Sequence, residues 1–201
     1  VPAELLTSIT DGPWILVVVF GLVLVDSLLV VVPGELAVTA AGALSAATGS
    51  PPLLAVIVVA ALAAFCGDAL CYLIGRRIGL RRWRWMRAVR VRRAFDWAGR
   101  RLAAGTATVV FTARFIPFAR LAVNLTAGAT RVPAPRYLSF TAVAASAWAT
   151  YQTVIGAAIG AVLPDAPIAA IVLSVAAAIG IGALIDVVAA RITRRRAQNR
   201  A

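Results

Sequence analysis

Leu53 to Ile74 is an apolar run in which Asp68 is the only charged residue. At 1.5 Å per helical residue, roughly 20 apolar residues cross the ~30 Å hydrocarbon core of a bilayer. Tyr137 to Leu163 and Ile168 to Ala190 repeat the pattern, and Trp14 to Val32 does so apart from Asp26 and Ser27. Hydrophobic residues make up 62% of the 201, and mean hydropathy is +0.92. Soluble domains reach only about half apolar. The expectation is an all-α, multi-pass membrane protein with a single transmembrane domain over residues 1–201.

The charges orient the spans. All 20 basic residues are Arg, and the net charge is +12. They gather between apolar segments and at the C-terminus, which is the positive-inside pattern rather than a nucleic-acid footprint. Residues 76–101 hold eleven arginines and one acid, Asp96, interleaved with Trp83, Trp85, Phe95 and Trp97. Such a segment reads as an amphipathic cytoplasmic helix lying against anionic membrane lipids. Residues 191–201 form a second basic, cytoplasmic segment. The short acidic stretch 1–12 is expected at the membrane surface. There is no His, which removes His-dependent triads, HExxH metal sites and His-nucleophile lipid phosphatases. Cys66 and Cys71 are too few for a Cys-based metal centre, so no cofactor or metal is expected, nor an enzymatic reaction.

Orientation forces two segments to turn back. Residues 76–101 and 131–136 are both basic and both belong inside, so 102–130 must enter and leave on one side, turning at Pro117. That is a re-entrant helical hairpin. Residues 49–52 then lie outside, and 36–48 is too short to cross comfortably. A second hairpin over 14–48, turning at Pro33-Gly34, solves this; the alternative is a full crossing by 14–32 with the N-terminus inside. Each hairpin precedes a span, 53–75 and 137–163, in opposite orientation. Inverted repeats with Gly- or Pro-broken helices are a transporter layout, with the binding site where the breaks meet. A further span, 168–190, follows.

Four charges sit within these hairpins. A guanidinium in hydrocarbon costs at least ~2.5–3.5 kcal/mol, so Arg114 and Arg120 need partners, water or a task. Asp26 and Glu35 are about 180° apart on a straight helix, and Arg114 and Arg120 about 120°. Breaks at Gly34 and Pro117 bring each pair to a hairpin tip facing one cavity. Buried carboxylates can carry protons and arginines can hold phosphate through two parallel N–H donors. The bland reading is four charges that only neutralise one another as buried ion pairs. Asp68 and Tyr72 are accessory candidates, with a packing role for Asp68 equally open. Gly67, Gly75 and Gly128 are expected to allow close helix packing.

Pro33-Gly34-Glu35 after an intramembrane acid, Gly67-Asp68 with Tyr72 and Ile74-Gly75-Arg76, then Arg114-Phe-Ile-Pro117 with Arg120 and Ala127-Gly128, together resemble the DedA family. These are bacterial relatives of the eukaryotic SNARE-associated, or VTT-domain, membrane proteins. The resemblance covers roughly residues 14–163. It implies a bacterial inner-membrane protein with paired re-entrant helices that moves lipid at the expense of the proton motive force. Undecaprenyl phosphate and phospholipids are its implied substrates. Asp26 and Glu35 fall on the family's acidic positions, and Arg114 and Arg120 on its arginines. Asp26 stands where a longer Glu is usual, and Phe118 where Gly commonly follows the Pro. The expected function is a proton-coupled flippase for an anionic lipid, with Asp26 and Glu35 coupling protons and Arg114 and Arg120 binding substrate. A small-ion or drug/proton antiporter, or a non-transporting membrane organiser, are the alternatives. The reading allows a homo-oligomer.

Overall fold

A computed structural model describes residues 14–29, 34–78, 89–105, 109–110, 113–114 and 117–162. Among them every regular element is an α-helix. In chain order these are α1 (Trp14–Leu29), α2 (Gly34–Thr48), α3 (Leu53–Ile78), α4 (Val89–Ala104), α5 (Pro117–Ala129) and α6 (Ala134–Val162). The surface segment 1–12, Pro33, Trp83, Trp85, the span 168–190 and the tail 191–201 lie outside the described residues.

Local chemistry sets the helix ends. Thr48 ends α2, and Gly49 follows in the left-handed region at φ 78°, donating its N–H to the Ser45 carbonyl at 2.9 Å. That is the usual use of Gly just past a helix. Pro117 is the first residue of α5, where its missing N–H has no intrahelical acceptor to lose. α5 stops in a paired cap: Val132 N–H reaches the Ala127 carbonyl and Arg131 N–H the Gly128 carbonyl, both at 3.0 Å. Arg131 takes the left-handed conformation this cap requires, at φ 55°.

α3 and α6 are long and apolar enough to span a bilayer. Around them the short helices are exchanged: α2 packs along α6, while α5 packs along α3. α1 also lies on α3, α3 on α6, and α4 on α5. Both exchanged contacts use one reciprocal device. A Cβ on Gly156 of α6 would strike the carbonyl of Thr39, and one on Gly42 of α2 the carbonyl of Thr153. In the other pair, Gly75 of α3 meets the carbonyl of Leu125, and Gly128 of α5 that of Tyr72. Each glycine therefore lies on the carbonyl of the residue three positions before its opposite glycine. Small residues let helix backbones approach this closely, and backbone contact replaces the hydrophobic drive that is missing in lipid.

Polarity is inverted relative to a soluble domain. Trp14, Val18, Leu54, Leu62, Phe118 and Val162 face outward. Asp26, Asp68, Arg114, Arg120, Asn124 and Gln152 are buried. In water the apolar surface would drive association; in hydrocarbon it is solvated. The fold is that of a membrane protein with its charges inside. α4 carries a second, local pattern. Phe95, Ala98 and Leu102 recur at helical spacing on its buried face, while Arg93, Asp96 and Arg100 are exposed. Phe95 packs with Ala122 and Leu125 of α5, so the buried side of the basic helix rests on protein.

Candidate functional site

The buried charges meet where α1, α3 and α5 converge. Asp26 lies one turn from the end of α1 and Asp68 in the second half of α3. Arg114 precedes α5, and Arg120 and Asn124 stand one turn apart on the face of α5 that is turned inward. The close approach of α1 to α3 that brings the two acids near each other depends on Gly67, against which Ser27 packs directly. Gly34 does the same at the start of α2, where a Cβ would press on Asp26 and on the backbone of Val23.

Two ion pairs form. Arg114 donates from Nη1 to Oδ2 of Asp68 at 2.5 Å. Arg120 donates from Nη2 to Oδ2 of Asp26 and to its main-chain carbonyl, both at 3.1 Å. Asn124 donates its amide to the second oxygen of Asp68 at 2.8 Å. Tyr137 of α6 donates its hydroxyl to the Asp68 carbonyl at 3.5 Å. The guanidinium of Arg114 sits over the ring of Trp148, 5.1 Å from its centroid, within cation–π range.

The pairs leave donors unused. Nε and Nη2 of Arg114 are buried with no hydrogen-bond partner among the described residues, and so is Nε of Arg120. Nε–H and Nη2–H lie along one edge of a guanidinium, the edge that grips a carboxylate or phosphate with two parallel bonds. Native interiors seldom leave such donors empty, and those that do call for an explanation.

Of the anticipated residues all but Pro33 lie among those described. Asp26, Arg114 and Arg120 are all buried. Glu35 is half-buried in the first turn of α2, where its charge acts on Arg120 and suits the positive end of the helix. Asp68 is the direct partner of Arg114, so its packing role and its charge role coincide. Tyr72 lies to one side: it stacks on Tyr137 at 4.5 Å, donates to the Val132 carbonyl at 2.6 Å and accepts from Arg76 at 2.7 Å. That ties α3 to the turn between α5 and α6 and does not touch the arginine pair. Gly34 is the first residue of α2, and Pro117 opens α5. Asn124 and Trp148 were not anticipated. Asn124 had a legible signal, a polar residue four places after Arg120 and thus on the same helical face. Trp148 had none beyond a mild interruption of its span. Cys66 and Cys71 are free thiols, and no group of metal-ligating residues occurs among the described residues.

A family model for the VTT domain matches residues 32–158. The match takes in Glu35, Asp68, both arginines and Asn124; Asp26 precedes it. No curated protein and no solved structure gives a significant match. With well over half of its length matched, and with apolar helices surrounding a buried charge cluster, the chain belongs to the VTT-domain family of membrane proteins, the SNARE-associated or DedA family.

Proposed function

We propose that this protein is a lipid flippase driven by the proton motive force, moving an anionic lipid such as undecaprenyl phosphate or a phospholipid across a bacterial inner membrane. The observation that carries this reading is the unpaired Nε–Nη2 edge of Arg114, buried beneath Trp148 and fixed from its other side by Asp68. Such an edge matches a phosphate in geometry and charge.

Charge balance supplies the coupling. Arg114 and Arg120 against Asp26 and Asp68 leave the two ion pairs neutral, and Glu35 adds one negative charge nearby. A phosphate brings at least one more into a region of low dielectric. Binding is therefore easiest when a carboxylate takes up a proton, which ties phosphate occupancy to proton occupancy. One charge crossing 100 mV gains about 2.3 kcal/mol, enough to bias an alternating-access equilibrium. The exchanged, reciprocal packing of α2 on α6 and α5 on α3 supports two inverted repeats, each a re-entrant hairpin plus a span. In this reading the C-terminus is cytoplasmic, and the exposed arginines of α4 meet anionic lipid headgroups.

A second reading, a membrane organiser that moves nothing, is favoured by the two-to-two matching of arginines and aspartates. Proteoliposomes carrying a pH gradient separate the two. Arg114→Ala and Glu35→Gln each abolish proton-dependent transfer of a lipid phosphate while still inserting. Wild-type transfer by both variants overturns the assignment.

A further inference from the structure

Asp68 and Asp26 are both partners of buried arginines, but their surroundings differ. Both carboxylate oxygens of Asp68 receive an N–H donor, from Arg114 and from Asn124, and its side chain is 2% exposed. Asp26 receives Arg120 on Oδ2, and its side chain is 11% exposed. A proton added to Asp68 would put an O–H where two donors already point. Its orientation is thereby fixed by two donors, one just ahead of α5 and one on it.

We infer that Asp68 and Asn124 are a positioning pair, which aims the Nε–Nη2 edge of Arg114 at an oxyanion, while Asp26 takes up the accompanying proton. The inference rests on the proposed oxyanion site and divides the labour within it. Asp68 pins Nη1, and Asn124 pins Asp68, so the guanidinium cannot rotate to bring its outer edge onto the acid. Trp148 fixes the plane of the group from one face. The oxyanion then meets Arg114 along an edge that no described residue engages, with Nε of Arg120 also unpaired among them. Asp26 lies where the charge of the bound anion is felt from several sides. The charged groups acting on it are Arg120 from α5, Asp68 from α3 and Arg114 ahead of α5; Glu35 of α2 acts on Arg120, and the Cys71 thiol of α3 meets the carbonyl of Ser27 next to Asp26. Tyr137 of α6 faces Asp68 rather than Asp26.

The two roles separate in a binding-versus-pH profile. The probe is sulfate, whose charge is constant across near-neutral pH, titrated calorimetrically into the full chain in detergent. Wild-type affinity falls as pH rises, approaching tenfold per pH unit for one linked proton. Asp26→Asn flattens that slope, because its amide is neutral at every pH. Asp68→Asn lowers affinity at least tenfold and keeps the wild-type slope. Asn124→Ala retains every charge, so it tests the same role with less risk to folding, and lowers affinity roughly three- to tenfold with the slope unchanged. A flattened slope in Asp68→Asn or Asn124→Ala overturns the inference, as does wild-type affinity in both. No sulfate binding by the wild-type chain at any pH overturns the proposed oxyanion site itself. A short-chain alkyl sulfate binding more tightly than sulfate supports a lipid headgroup as the oxyanion's source; equal affinity overturns the lipid assignment.

Discussion

Gly128 has no room for a side chain, because a Cβ there would strike the Tyr72 carbonyl and the Arg76 nitrogen, both backbone atoms of α3. Gly21, on α1, meets nothing within 4 Å. The same substitution therefore has opposite consequences at the two sites. Gly128→Ala forces α5 away from α3 and destabilises the protein by ~1–3 kcal/mol or more. Gly21→Ala is neutral or stabilising, by up to about 1 kcal/mol, since Ala favours the helix over Gly. Thermal unfolding in detergent distinguishes them, and equal effects would contradict the packing described. The residue scale also marks the limit of what could be read without coordinates. Arg114 and Arg120 stood out because charge in an apolar run is costly. Which acid pairs with which arginine did not, because pairing joins residues 46 and 94 positions apart in the chain and depends on which helices pack together. Asp68 and Tyr72 looked alike as accessories, yet one grips Arg114 and the other braces a turn.

Helices are where apolar periodicity serves best, and α3 and α6 follow the long apolar runs closely. The breaks are placed less simply. Gly34 and Pro117, expected at the breaks of the two hairpins, are the first residues of α2 and α5. A Pro that ends one segment sterically is also a good first residue of the next, and composition alone cannot tell the two apart. The basic helix shows a similar ambiguity. Its amphipathic pattern is equally suited to a membrane surface and to a protein groove, and α4 buries Phe95, Ala98 and Leu102 with residues of α5, the helix that bears Arg120. A charge at the centre of that face should detach it. In Ala98→Asp, amide hydrogen exchange across α4 rises to the level of an exposed helix, while exchange in α6 is unchanged. Exchange in α4 equal to that of the wild type would mean that the face is not held by α5.

Across the whole molecule, sequence layout alone suggested two similar halves, with no identity between them to support it. The reason lies in how little the two crossings share. Thr39 and Gly42 against Thr153 and Gly156 in one crossing, and Leu125 and Gly128 against Tyr72 and Gly75 in the other, share only the spacing to a glycine. That spacing is enough to bring two backbones together and too little to register as sequence similarity. The second crossing borders the charge cluster: α3 carries Asp68 as well as Tyr72 and Gly75, and α5 carries Arg120 and Asn124 as well as Leu125 and Gly128. Packing and site are built on the same helices. The central claim is that this frame holds Arg114 so that its guanidinium edge binds a lipid phosphate. Lys at position 114 keeps the charge and can still pair with Asp68, but it has no second edge. The most direct test is proton-gradient-driven transfer of a lipid phosphate in proteoliposomes by Arg114→Lys. Transfer falling at least tenfold, close to the level of Arg114→Ala, is the predicted result; transfer at the wild-type rate would contradict it.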